Sequence, residues 1–296
     1  MKLSANGIDL EVEVHGPESG APLLLIMGLG MQLTAWPDEM VQGLVARGFR
    51  VIRHDNRDAG LSQQFDHLGM PNLALASVRH LMHLPVTAPY SLADMAADAA
   101  GVLDALNLPS AHICGASLGG MIAQHLAATQ PQRVRSLTLM MTTSGARRLP
   151  QASLRVRKAL ITPPRSREPA AVVDHLTKLV GLIGSPVYPS EPERLRQRLH
   201  AAVMRAYRPA GTARQLMAVV ADGDRSPLLA RIKAPTLVLH GDADPLIPPG
   251  AAQHLLQHIA GARLDLIPGM GHDLPLALLP RIVAGVAGVA KQAPTA

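Results

Sequence analysis

Ser117 is the residue of this chain best placed for nucleophilic chemistry. It lies in "GASLGG", where Gly115, Ser117 and Gly119 make a G-x-S-x-G pattern. The apolar run "AHIC" before it reads as a strand, and "LGGMIAQHLAATQP" after it as a helix that ends by Pro131. A serine on so tight a strand-to-helix turn has its hydroxyl exposed, and the two glycines leave room for the neighbouring strand and helix. It also stands at a helix N-terminus, where unpaired N–H groups and the dipole favour a developing oxyanion. The plainer alternative is an ordinary helix N-cap. Cys114 is intrinsically the better nucleophile, but inside the apolar strand it reads as a small buried hydrophobe.

A serine nucleophile needs a base, and His272 offers one in "LIPGMGHDLP", a Gly-rich loop after the last expected strand, at the sheet's carboxyl edge. Other histidines read differently. His125 lies two turns into the helix after Ser117, and His80 and His83 are expected in a loop. His254 and His258, at i and i+4, are expected on a solvated helix face, since no third ligand accompanies them. An orienting acid should fall between serine and histidine, and "VLHGDADPLIPP" supplies Asp242 and Asp244, whereas "LMMTTSGA" has none. Two backbone N–H groups are needed for an oxyanion hole. Leu118 follows the nucleophile, and Leu29 in "LLLIMGLGMQ" is flanked by Gly28 and Gly30, which let the loop turn inward. No cofactor and no metal are expected.

These residues need a frame. "KLSANGIDLEVEV" reads as a hairpin turning at Asn6-Gly7. After it come "PLLLIM", "FRVIRHD", "AHIC", "VRSLTLMM", "APTLVLHG" and "ARLDLIP", too continuously apolar for half-exposed strands and suited to a parallel sheet covered on both faces. Helical stretches such as "WPDEMVQGLVARG" and "SLADMAADAAGVLDAL" alternate with them, predicting a doubly wound α/β fold. The alternation lapses over 142–228, which is rich in Pro and Arg and has no convincing strand. This predicts a helical cap inserted into a core made of 1–141 and 229–296.

At 296 residues, 48% apolar and 17% charged, the chain can bury a sizeable core and is expected to be soluble. One cysteine allows no internal disulfide, the N-terminal stretch lacks the apolar run of a secretory signal, and Pro280 and Arg281 interrupt the last apolar stretch. A cytoplasmic protein without membrane insertion is expected. The net charge of +6 is unevenly placed: residues 141–228 hold 15 Lys and Arg against 6 Asp and Glu, and the remainder 13 against 16. Such a basic segment is either a solvated face or a device that steers anionic esters. With aromatics at 2% and no recognition motif, nucleic-acid binding is not expected. Met27, Met31, Met141 and Met270 suggest an adaptable aliphatic acyl pocket, or core filling.

Taken in order, "MGLG", "DNRDAGLS", "GASLGG", "HGDADPLIP" and "GMGHD" resemble the α/β-hydrolase family over essentially the whole chain. "DNRDAGLS" looks like a subgroup of small esterases that includes the aclacinomycin methylesterases. The resemblance implies an α/β-hydrolase fold and a serine carboxylesterase acting on a small-molecule ester through an acyl-enzyme. It selects Asp244, three residues after Gly241, to complete a triad with Ser117 and His272. It also implies that Asp55 to Ser62 form a structural turn, with Arg57 and Asp58 bonded to backbone. One departure is Met27-Gly28, where many members have His-Gly. Lactonase, perhydrolase and carbon-carbon hydrolase chemistries would reuse the same residues, and a ligand-binding protein on this scaffold is the non-enzymatic alternative.

Overall fold

The computed structural model describes residues 1–82 and 84–293, so His83 lies outside the described residues. Eight strands form one sheet: β1 (Lys2–Ala5), β2 (Ile8–His15), β3 (Ala21–Ile26), β4 (Phe49–His54), β5 (Ala111–Ala116), β6 (Val134–Met140), β7 (Thr236–Gly241) and β8 (Arg263–Ile267). Their order is β1-β2-β4-β3-β5-β6-β7-β8. β1 and β2 pair antiparallel, as do β2 and β4, and every later pairing is parallel. The hairpin closes at Asn6 and Gly7, both at positive φ, which matches the right-handed twist of the strands it joins.

Among the described residues eleven α-helices accompany the sheet: α1 (Asp38–Val45), α2 (Leu73–Leu81), α3 (Leu92–Ala105), α4 (Leu118–Thr129), α5 (Leu154–Ile161), α6 (Pro169–Ile183), α7 (Pro192–Arg205), α8 (Pro209–Asp222), α9 (Ser226–Leu229), α10 (Gly250–His258) and α11 (Leu279–Ala290). His80, expected in a loop, therefore falls in α2. The continuous apolar strands have a simple reason. Alternate residues enter two separate cores, Leu24 and Ile26 packing with α3 and α4, Leu23 and Leu25 with α1 and α11. Both faces of β3 are thus withdrawn from water, so no polar position interrupts it. The start of α3 is a capping box in which Ser91 accepts from Asp94 N–H and the Asp94 side chain accepts from Ser91 N–H. No helix among the described residues is long and apolar enough to cross a membrane.

Between β6 and β7 the chain runs through α5 to α9 with no strand among the described residues. Part of its excess positive charge meets acids of the rest of the chain. Arg194 pairs with Glu39, Arg205 with Asp55 (2.7 Å), and Arg214 with both Asp58 (2.7 Å) and Asp66 (2.9 Å). The expected solvated face is therefore only partly realised.

The turn at 55–62 also differs from expectation, because Arg57 and Asp58 bond chiefly to side chains. Arg57 grips Asp98 through Nε (2.6 Å) and Nη2 (2.7 Å), adding a weaker bond to the Asp94 carbonyl. Asp58 accepts from Arg214 Nε (2.8 Å) and Nη2 (2.7 Å), from Tyr90 Oη (2.9 Å) and from Phe65 N–H (2.9 Å). Arg214 and Asp58 are both fully buried, and at such depth geometry as good as this is needed to offset the loss of hydration. Of these four methionines, Met27, Met141 and Met270 fill the core on the α1/α11 side and Met31 is exposed, which is the core-filling alternative for three of them.

Two outcomes follow from this burial. Arg214→Met, which strands the Asp58 carboxylate, should lower the urea unfolding free energy by roughly 3–5 kcal/mol, and a loss under about 1 kcal/mol would show the pair to be dispensable. His54, at the end of β4, is buried with both ring nitrogens unpartnered, and burial pushes its pKa down to about 4. Between pH 6.5 and 4 the unfolded chain binds a proton there that the folded chain refuses. Stability should therefore fall across that window, by about 3 kcal/mol from this residue, and His54→Leu should flatten that part of the urea-derived pH profile.

Candidate active site

The candidate residues leave the carboxyl ends of four parallel strands. Ser117 follows β5, the 27–31 loop follows β3, Asp244 follows β7 and His272 follows β8. Side-by-side pairing fixes their spacing along one edge, with β3 and β5 adjacent and β7 and β8 adjacent. This edge is where open α/β sheets present chemistry, since helix N-termini and loops converge there.

Ser117 has φ 54° and ψ −117°, a conformation that costs on the order of 1–3 kcal/mol for a residue with a side chain. Contacts on every side impose it. A Cβ on Gly119 would lie 1.9 Å from the Ile26 carbonyl oxygen, and one on Gly115 would lie 2.2 Å from the Gly119 carbonyl oxygen. Ser117 N–H donates to the Met140 carbonyl (2.9 Å), and the Ser117 carbonyl accepts from Thr142 Oγ1 (2.7 Å). The serine makes no side-chain cap, which removes the plain N-cap reading. Leu118 is the first residue of α4, so its N–H has no partner within the helix. Cys114 is fully buried in the core, and burial pushes its thiol well above the ordinary value.

His272 Nδ1 lies 2.7 Å from Asp244 Oδ2. A carboxylate only accepts, so Nδ1 carries the proton and Nε2 is the ring's basic nitrogen. Asp244 is itself held firmly, Oδ1 accepting from the N–H groups of Leu246 (2.9 Å) and Ile247 (2.8 Å). Asp242 is exposed and ties two loops together by accepting from Gly269 N–H (2.6 Å), so it does not meet His272. His240, below the pair, has Nε2 at 2.8 Å from the Ile247 carbonyl and 3.6 Å from Asp244 Oδ2. Burial keeps its pKa below the ordinary value, so it remains neutral and does not compete with His272 for the carboxylate's charge.

The histidine loop is also gripped from the α5–α9 segment. His272 N–H donates to the Ile183 carbonyl (2.7 Å), and Ser185 Oγ accepts from Gly271 N–H (2.8 Å) while donating to Asp273. Neither Ser185 nor Asp273 stood out in sequence. The 27–31 loop lies against Ser117, for a Cβ on Gly28 would be 3.3 Å from Ser117 Cβ and 3.9 Å from its Oγ. Gly30, at φ 65°, donates its N–H to Gln215 Oε1 (2.8 Å). Gln215 also went unremarked, although a signal exists: Gly211, Arg214, Gln215 and Ala218 share the buried face of α8, where a polar pair is out of place.

Elsewhere, His125 bonds to Asp222 (2.8 Å) away from the candidate residues. His254, expected on a solvated face, is buried against Ser144 Oγ (3.0 Å) and stacks on His258. No group of three or more His, Cys, Asp or Glu able to hold a metal occurs among the described residues.

The family described as alpha/beta hydrolase fold matches residues 21–276. The chain is 32% identical to rhodomycin D methylesterase DauP of Streptomyces sp. (strain C5), covering 96% of this chain and 95% of that one. It is 31% identical to rhodomycin D methylesterase DnrP of Streptomyces peucetius, covering 94% of each. Among solved structures it is similar in fold to a meta-cleavage product hydrolase (CumD) from Pseudomonas fluorescens IP01. That match has a TM-score of 0.76 and 19% identity, and covers 99% of this chain and 97% of that one.

The close approach at Gly119 yields a direct test. Gly119→Ala must displace either the Ile26 carbonyl or the turn that holds Ser117. It should lower stability by about 1–3 kcal/mol and esterase activity more steeply than stability. Wild-type activity in this variant would show that the tight approach is not needed.

Proposed function

The chain belongs to the alpha/beta hydrolase fold family, and on that footing we propose that it is a serine carboxylesterase using Ser117, His272 and Asp244. The observation that carries the reading is the Asp244–His272 pair at the same strand edge as the strained Ser117 turn. His272 Nε2 takes the Ser117 hydroxyl proton as the oxygen attacks the ester carbonyl. The N–H groups of Leu118 and Leu29 receive the oxyanion, which Gly28 and Gly30 make room for. His272 then gives its proton to the leaving alcohol, and Asp244 stabilises the imidazolium between the two transfers. Water, deprotonated by the same nitrogen, attacks the acyl-enzyme, and His272 returns that proton to Ser117 Oγ as the bond to the acyl group breaks and the acid is released. The cycle needs no cofactor.

We take residues 142–228 as a helical cap on a core of 1–141 and 229–296, because α8 touches the 27–31 loop and the end of α6 touches the His272 loop. The substrate class we favour is a small carboxylic methyl ester, by analogy with the two methylesterase relatives. The pairing of Arg194, Arg205 and Arg214 with acids of the core speaks against steering by those three charges. A single cysteine accords with a cytoplasmic, reducing setting.

Hydrolysis of p-nitrophenyl esters by the purified protein tests the reading. Ser117→Ala should lose at least about 10⁴-fold in kcat, with Asp244→Asn losing about 10⁴-fold, while Asp242→Asn stays within about threefold. Activity lost in Asp242→Asn and kept in Asp244→Asn would reassign the acid. A panel of methyl esters against lactones then separates the favoured activity from a lactonase built on the same residues.

A further inference from the structure

The oxyanion loop of this chain lacks the histidine that many members of the family place before the glycine, having Met27 there instead. Its hydrogen bonding nevertheless fixes three successive peptide units. Asn56 Nδ2 donates to the Met27 carbonyl (2.9 Å), holding the peptide that joins Met27 to Gly28. The Gly28 carbonyl accepts from Met31 N–H (3.2 Å), and this carbonyl belongs to the peptide whose N–H is that of Leu29. Gly30 N–H, in the next peptide, donates to Gln215 Oε1 (2.8 Å). In a trans peptide the N–H points opposite to the C=O, so a pinned carbonyl aims the Leu29 N–H the other way.

Gln215 is the unusual member of this set because it comes from α8, in the segment between β6 and β7. It is fully buried, and its Nε2 donates to the Arg57 carbonyl at 2.7 Å, so both ends of the amide are committed and its orientation is fixed. The helix that carries it is immobilised by its neighbours. Arg214 is paired with Asp58, a Cβ on Gly211 would lie 2.1 Å from the Asp58 carbonyl oxygen, and Thr212 packs against Gly30.

We propose that Gln215 is a positioning residue for the oxyanion hole, supplying from α8 a restraint on the 27–31 loop. It touches no reacting atom. It acts by holding the Leu29–Gly30 peptide, and with it the direction of the Leu29 N–H, in place before substrate arrives. The inference rests on the serine-esterase reading, and it ties the hole to the cap: of the three bonds that hold the loop, the one on Gly30 N–H is made only while α8 is seated.

The test compares wild type, Gln215→Met, Gln215→Glu and Ser117→Ala with p-nitrophenyl butyrate, active sites being titrated with a fluorophosphonate. A short-chain aliphatic trifluoromethyl ketone, whose hemiketal oxyanion occupies the hole, is the second probe. Gln215→Met keeps the shape but not the acceptor, and should lose about 10–100-fold in kcat per titrated site. KM should change by less than about threefold, and ketone affinity should fall in step with kcat/KM, since the lost interaction is made mainly in the transition state.

Gln215→Glu, whose buried carboxyl is kept protonated by desolvation and by the Arg57 carbonyl beside it, keeps both an acceptor for Gly30 N–H and a donor for that carbonyl, and should retain kcat within about fivefold, a rescue that a purely packing role would not produce. Unchanged kcat per site and unchanged ketone affinity in Gln215→Met overturn the proposal, as does equal impairment of the Met and Glu variants. If Gln215→Met does not fold, Gln215→Glu decides alone: retained turnover and ketone affinity support the role, and a loss beyond about tenfold in both overturns it. Undiminished turnover in Ser117→Ala would instead overturn the serine-esterase reading, whereas an inactive Ser117→Ala beside a fully active Gln215→Met removes only the role given to Gln215.

Discussion

Backbone approaches backbone around Ser117 more closely than any side chain would permit, and the rest of the site is arranged about that fact. Gly119 rests on the Ile26 and Met27 carbonyls, Gly115 rests on Gly119, and Gly271 beside the histidine rests on Gly184. The turn after β5 is thereby drawn against the end of β3, and the loop after β8 against the end of α6, before any side chain is considered. The positive φ of Ser117 is a consequence of this crowding, paid for by two hydrogen bonds and by the packing of α4 against the sheet.

Charge does the corresponding work for the α5–α9 segment, and the ion pairs there are not equivalent. Arg196 and Asp174 are about half exposed, so their attraction is largely screened. Arg214 and Asp58 are wholly buried, and there the loss of either partner would leave an uncompensated charge away from water. Most of what fastens the segment to the 55–62 turn is therefore concentrated in one pair and the carbonyls, amides and hydroxyl around it. Arg205 on Asp55 and Gln32 on the end of α7 extend the same seam toward the 27–31 loop.

Strands were legible because those from β3 to β7 are buried on both faces along nearly their whole length and are therefore mostly apolar, and the turn glycines because nothing larger fits. Ser117, His272 and the pair Asp242/Asp244 were legible as loop residues following strands, a local property. What escaped reading was set by distant contacts. Nothing near Asp58 in the chain announces Arg214, more than 150 positions later, and nothing near Gly30 announces Gln215. The methionines stayed open between pocket and core for a related reason: Met27 and Met270 border the site in sequence, yet the direction of their side chains is decided by the core beneath it. His254 misled through its i, i+4 partner, because a pair spaced for a helix face does not say which face is buried.

Cys114 sits in the middle of the sheet, three residues before Ser117, and it is the only cysteine of the chain. A thiol reagent can reach it only when the layer of α1 and α11 that covers this face of the sheet opens. The labelling rate of the unmodified protein is thus a native clock for opening of that core, requiring no engineered probe. Since the Ser117 turn begins where β5 ends, the same clock reports on the packing beneath that turn.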